Sequence, residues 1–362
     1  VASGAKNLSA AALKIREKYG RERTTQVREH VIVPTGSFAL DWALRAGGLE
    51  LGKVYEIMGP KDAGKSSLAI SAMTQHQLMF PDRGAAYLSM EDTFDENRAA
   101  AMGLMCSEED EAAGRWMITY PEHSEHVSDM ARDLIIGGFY SVVVVDSIGA
   151  MESDRTLGKK AADAADAVGR NAKIITQMNK ALATLARLNK CTVLLVNQPR
   201  ANPGSPVPID VSAGPKHMQH VTVSKLEMRA LGGSEDVRTL RLPGELDDLK
   251  VSIKTRINIP RLKNGLPGRV AEVYVNRVGT DEYGPPGFDV ADEALSLGTS
   301  LKVIKLGGSY YTFPDEKRFN GKAAALAYLR ENPAVVKAVR DAVLFDKPTD
   351  YIEDEEETAD AG

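Results

Sequence analysis

Short apolar runs recur through the middle of the chain, each closed by polar residues: Val54–Met58, Ala85–Leu88, Met117–Tyr120, Val142–Val145 and Val193–Val196. Between them, stretches at about 66–79, 95–104, 124–137 and 169–189 carry apolar residues at helical spacing. Apolar strands interleaved with helices predict a mostly parallel sheet covered on both faces. Three later runs, His220–Met228, Lys250–Ile259 and Val270–Asn276, alternate with period two and have no helices between them. They predict an antiparallel extension at one edge.

The ends of the chain follow other patterns. Leu8, Ala12, Ile15 and Tyr19 share one face of a short amphipathic helix over 7–20, with Gly20 as its stop and a strand at Val31–Val33 after a polar link. So short a helix must dock, on its own core or on a neighbouring subunit. Residues 284–287, GPPG, mark a boundary. Beyond it a helix (about 288–297), strands at Lys302–Ile304 and Tyr310–Phe313, and helices at about 320–331 and 333–345 predict a small α+β unit. The expected organisation is an arm over 1–34, an α/β core over 35–283, an α+β domain over 284–345 and a disordered acidic tail over 346–362. No internal repeat is visible.

Composition changes this picture little; charge distribution changes it more. An apolar fraction of 43% and a charged fraction of 26% describe an ordinary globular protein. No apolar run approaches the roughly 18 residues that span a bilayer, so no membrane association is expected. No secretory signal is visible, and Cys106 and Cys191 match no metal spacing, so a cytoplasmic location is expected. The net charge is −5, yet residues 346–362 hold eight acidic residues against one Lys, and the first 34 hold seven Lys or Arg against three Glu. Overall charge argues against nucleic acid as a partner; its distribution does not.

Candidate chemistry centres on Gly59-Pro60-Lys61-Asp62-Ala63-Gly64-Lys65-Ser66-Ser67, a G-x-x-x-x-G-K-S loop between a predicted strand and a predicted helix. Glycines there let backbone N–H groups wrap a phosphate, and the helix N-terminus adds partial positive charge. Lys65 can reach the outer phosphates and the Ser66 hydroxyl can ligate Mg²⁺. The run Val142–Val145 delivers Asp146 at a strand end, where it can hold Mg²⁺ through water. Glu91 and Asp92 are equal candidates to activate an attacking water. Asn197 and Gln198 end another strand, where a neutral amide can sense a γ-phosphate. Two loops, 157–168 and the Pro/Gly/Ser-rich 199–215, follow the last two strands.

The ordered set of these segments resembles the bacterial RecA recombinases, including phage-encoded relatives, over nearly the whole chain. The lead-in Thr35-Gly36-Ser37 to Gly52, GPKDAGKSS, Glu91 with Asp95, VVVVDS, VNQPR, Lys254-Thr255-Arg256 before Pro260, Gly307–Phe313, Gly321-Lys322-Ala323 and the acidic end all match in order. The resemblance implies a P-loop ATPase that binds ATP and Mg²⁺, polymerises head-to-tail into a helical filament on single-stranded DNA, and pairs it with duplex DNA in recombination, repair and the SOS response. Mediator or single-strand-binding proteins are implied partners. It selects Glu91 as the residue acting on water and makes Gln198 the coupling to the loop after it. Lys254 and Arg256 would reach a neighbour's ATP, and the N-terminal helix would dock on that neighbour. Asp95 and Arg98 would flank the base, with Arg98 standing where the family has an aromatic residue. Val168, Gly169, Lys173, Arg200 and Gly214 would contact DNA. The rival readings are a RecA-fold ring motor, a non-hydrolysing DNA-protective filament, and a small-molecule kinase.

Overall fold

The computed structural model describes residues 30–92, 94–150, 164–201, 210–212, 222–262 and 268–345, together with positions 14, 17 and 18. The chain divides into two units, 1–31 and 32–362. In the first, Lys14, Glu17 and Lys18 are helical; the rest of the helix expected over 7–20, like the acidic tail, lies outside the described residues.

The second unit opens with β1 (Ile32–Val33), α1 (Phe38–Ala43) and β2 (Leu49–Glu50), the two strands pairing antiparallel. Then follow β3 (Val54–Met58), α2 (Lys65–Met79), β4 (Gly84–Ser89), α3 (Glu96–Ala101), α4 (Glu108–Ala112) and β5 (Trp116–Thr119). Next come α5 (Ser124–Ile136), β6 (Tyr140–Asp146), α6 (Ala164–Asn189) and β7 (Thr192–Asn197). The short β8 (Pro199–Ala201) and β9 (Asp210–Ser212) pair with each other. They precede β10 (Ser224–Ala230), β11 (Val237–Leu240), β12 (Leu249–Leu262), β13 (Arg269–Asn276) and β14 (Gly287–Phe288). The chain continues through α7 (Val290–Ser300), β15 (Lys305–Gly307), β16 (Tyr310–Thr312), β17 (Arg318–Asn320), α8 (Lys322–Glu331) and α9 (Pro333–Leu344).

The main sheet runs β14-β13-β12-β10-β3-β7-β6-β4-β5, with β11 on β12. Its half from β10 to β5 is parallel. Period-two packing divides this half between two cores. Val142 and Val144 join Ile57, Tyr87 and Leu194 on one face; Val143 and Val145 join Ala86, Val193 and Leu195 on the other, under α5 and α6. Strands covered on both faces are mostly apolar, which is why they read as near-continuous runs, with Glu56 of β3 a buried polar exception.

Three expectations are corrected. The run ending at Met228 is not part of an antiparallel extension alone: β10 is parallel to β3 and antiparallel to β12, so the sheet changes sense at this strand. The loop expected over 157–168 gives way to helix by Ala164, because the Ala-rich segment that follows favours helix. The segment 199–215 is not structureless where described, since Arg200 opposes Val211 in the β8–β9 ladder.

Helices α7, α8 and α9 and the three-stranded sheet β15–β17 share an apolar cluster with Ile304, Phe313 and Leu329. Phe38 of α1 is buried in that same cluster while its neighbours Ala39 and Leu40 join the core of the main sheet. One short helix therefore belongs to both cores. No described helix is long and apolar enough to cross a membrane.

Candidate nucleotide site

Parallel pairing brings the C-terminal ends of β3, β7, β6 and β4 side by side. Met58 is opposite Asn197, and Ser89 is opposite Asp146. The residues that follow these strand ends line one cleft of about 490 Å³: Lys61, Asp62, Gly64–Ser67, Glu91, Asp146 and Gln198, with Arg98, Ile253, Val275 and Arg277 closing its other side. Ligands bind open α/β sheets at this position.

The loop between β3 and α2 needs glycine at two places. A Cβ on Gly59 would stand 2.4 Å from the Met228 carbonyl oxygen. Gly64, the N-cap of α2, has φ +89°, and a Cβ on it would press Val275 Cγ2 at 3.2 Å. No side chain caps α2, and its first turn holds no acidic residue. Its leading amides are therefore left to an anion. Lys65 is buried, with 8% of the residue exposed, and its ammonium donates to the Pro60 carbonyl at 2.7 Å. Burial lowers its pKa, against the opposing pull of the Asp146, Glu91 and Asp62 carboxylates.

The carboxylates form two small networks. Asp146 Oδ2 accepts from the Tyr87 hydroxyl and, at 3.4 Å, from Ser66 Oγ. Burial raises its pKa, with Glu91 adding to the rise and Tyr87, Lys65 and Ser66 opposing it. Glu91 Oε1 accepts from Ser147 Oγ at 2.7 Å and from Gln198 Nε2 at 3.0 Å. Asp92, the other candidate of its pair, is exposed and has a left-handed backbone (φ 48°). Gln198 is itself steadied from below: Asn197 Oδ1 accepts from its backbone N–H, and Asn197 Nδ2 donates to the buried Glu56.

The donor set fits Mg²⁺. Among the described residues no group of three His, Cys, Asp or Glu could hold a metal ion alone. Mg²⁺ commonly keeps several waters and takes one or two protein oxygens beside substrate phosphates. Ser66 and Asp146 offer that, next to uncapped amides suited to the phosphates.

A family model for the RecA N-terminal domain matches residues 6–275. The chain belongs to the RecA family. It is 24% identical to Protein RecA of Psychrobacter arcticus over 353 residues, 95% of this chain and 92% of that one. The Xanthomonas euvesicatoria protein of the same name is 27% identical over 337 residues, covering 91% and 90%. That of Oceanobacillus iheyensis is 25% identical over 363 residues, covering 98% and 96%.

The remaining residues expected from the RecA resemblance are placed as follows. Arg98 lies at the cleft, its Nη2 donating to Ser67 Oγ at 2.9 Å. Asp95 instead caps α3, accepting from the Arg98 N–H at 2.9 Å. Lys254 and Arg256 do not enter this chain's own cleft. Their strand neighbour Ile253 lines it, opposite Val275, so the two cations project from the other face. There both pair with Glu272, Lys254 at 3.2 Å and Arg256 at 2.6 Å, and Arg256 holds the Glu272 pKa below the usual range with help from Lys254. Lys173 is exposed on α6, Val168 and Gly169 fall within the same helix, Arg200 sits on β8, and Gly214 lies outside the described residues.

Sequence reasoning missed Tyr87, Ser147 and Arg277. Tyr87 reads as one more apolar strand residue, and its hydroxyl gives no local signal. Ser147 adjoins Asp146, and that adjacency was its only signal. Arg277 sits far along the chain, just after β13, with nothing local to link it to the P-loop.

Proposed function

We propose that this RecA-family protein is a DNA-dependent ATPase that forms a head-to-tail helical filament on single-stranded DNA and promotes homologous pairing and strand exchange in the cytoplasm. The observation that carries this reading is the meeting of Lys65, Ser66, Asp146, Glu91 and Gln198 in one cleft whose Gln198 leads directly into the β8–β9 pair. Lys65 and the α2 amides bind and orient the triphosphate. Ser66 and Asp146 would hold Mg²⁺, which, when bound, offsets phosphate charge. Glu91 orients an attacking water and takes its proton. Gln198 moves between Glu91 and the terminal phosphate, and so passes the state of the cleft to the segment that contacts DNA.

The outward face of Lys254 and Arg256 supports a role in trans, on the nucleotide of the next subunit. A contact between unlike faces of two copies does not close on itself, so it builds a filament. Lys173 and Arg200, with Val168, Gly169 and Gly214, are the proposed DNA contacts, made through the backbone so that bases stay available for pairing.

ATP hydrolysis measured with and without single-stranded DNA, beside negative-stain images, tests this reading. Stimulation by DNA together with helical filaments is expected. Closed hexameric rings would show a motor instead, and filaments without hydrolysis would show a protective coat.

A further inference from the structure

The cleft is polarised. Glu91 and Gln198 meet each other at one end, beside Lys65 and Asp146. One residue further along α2 than Ser66, the Ser67 hydroxyl accepts from Arg98 Nη2 at 2.9 Å. That same guanidinium is tied to the end of β13: Nη2 donates to the Asn276 carbonyl at 3.4 Å and Nε to the Arg277 carbonyl at 3.2 Å. Arg277 lines the cleft as well, and its exposed side chain makes no hydrogen bond or ion pair among the described residues. On the nucleotide reading, a triphosphate whose terminal phosphate faced Glu91 would run past Ser66 and Ser67 toward the arginine tied there. No aromatic side chain among the described residues lines the cleft; Ile253 and Val275 supply its apolar wall.

This end of the cleft offers donors. A guanidinium has five N–H groups and no acceptor. Adenine presents N7 beside an amino donor, whereas guanine presents N7 beside O6, two acceptors that match an arginine fork. Without an aromatic platform, stacking contributes less to the choice of base and hydrogen bonding contributes more. We infer that Arg98 and Arg277 read the base, and that the site binds guanosine triphosphate at least as tightly as adenosine triphosphate. Arg98 is the fixed member, pinned by α2 and β13. Arg277 is the member with its donors still unclaimed. The inference rests on the nucleotide reading of the cleft proposed above.

The test is competition binding by the full chain, with Mg²⁺ complexes of ATP, GTP, CTP and UTP displacing a fluorescent nucleotide analogue. GTP should match or exceed ATP, and both pyrimidine nucleotides should bind about tenfold more weakly. Arg277→Ala should weaken GTP about tenfold and ATP about twofold. Arg277→Lys keeps the charge but lacks the fork, so it should also lose the guanine advantage. ATP binding tighter than GTP, equal binding of all four nucleotides, or an Arg277→Lys profile identical to the parent would each overturn the inference and leave the nucleotide site standing. Failure of the folded chain to bind any of the four would remove both.

Discussion

The Tyr87 hydroxyl donates a hydrogen bond to Asp146 Oδ2, the oxygen that also accepts from Ser66 Oγ. Tyr87 is itself fixed by its ring neighbours, lying 4.7 Å from Phe94, which in turn lies 5.3 Å from Trp116. The β4 core thus sets the orientation of the carboxylate at the tip of β6. Tyr87→Phe should keep the fold at a cost of about 1 kcal/mol while shifting the Mg²⁺ concentration needed for nucleotide binding upward several-fold. A Mg²⁺ titration of nucleotide binding, with a thermal melt alongside, checks this. An unchanged midpoint would mean that Tyr87 only packs.

On the proposed reading, substitutions at Glu91 and Lys65 should separate turnover from binding. Glu91→Gln leaves an amide able to pair with Ser147 and Gln198 but unable to take a proton. Hydrolysis should fall by about 10²–10⁴-fold with nucleotide affinity within a few-fold of the parent. Lys65→Ala should lose binding and turnover together. Steady-state hydrolysis beside equilibrium binding distinguishes the two, and normal turnover by Glu91→Gln would remove it from the chemistry.

Glu272 holds both cations that the filament reading assigns to the next subunit. If they act in trans, the neighbour's triphosphate competes with Glu272 for them. Glu272→Ala should then lower the nucleotide concentration needed for assembly, measured by light scattering or sedimentation, while Lys254→Ala raises it. Mixing Lys254→Ala with Glu91→Gln subunits should give activity that departs from the sum of the two. Additive activity would place Lys254 within its own subunit's function.

The junction around α1 should make stability fall as pH rises. Burial pushes the Glu293 carboxyl up to about 8, with nearby Asp41 and Asp289 adding to the rise and Ala39 N–H and Ser37 Oγ opposing it. Burial likewise pushes Asp41 up to about 7 despite its pairing with Arg340 at 2.8 Å. A raised carboxyl pKa means that the folded state binds protons the unfolded state has released, so stability declines between the ordinary value of 4.5 and about 8 for Glu293. Glu293 Oε1 has no partner among the described residues, so the charged form is poorly accommodated. Glu293→Gln should flatten the decline in melting temperature across this window. A slope equal to the parent's would show that Glu293 does not drive it.

Local chemistry made much of the site legible in advance. The P-loop announces itself because glycines, a lysine and a serine must stand at set spacing between a strand and a helix. Asp146 was legible because four β-branched residues before it specify a buried strand, and the end of such a strand faces the ligand. Gln198 followed by the same logic. The start of α6 was misread although its alanines favour helix locally, and the β8–β9 pair was misread because Pro and Gly argue locally for a loop where cross-strand pairing decides.

The amino-acid sequence by itself determined the parallel core, the loop that receives a phosphate and the carboxylates that accompany it, since each follows from periodicity or from spacing within a few residues. Only the tertiary structure decided which distant side chains meet. Strand order carries Tyr87 to Asp146 and Gln198 to Glu91. The change of sense at β10 brings β12 and β13 alongside, so that Arg277 reaches the cleft while Lys254 and Arg256 turn away to Glu272. Register between strands remote in sequence is a property of the packed whole, and a shift of one residue would exchange the two faces.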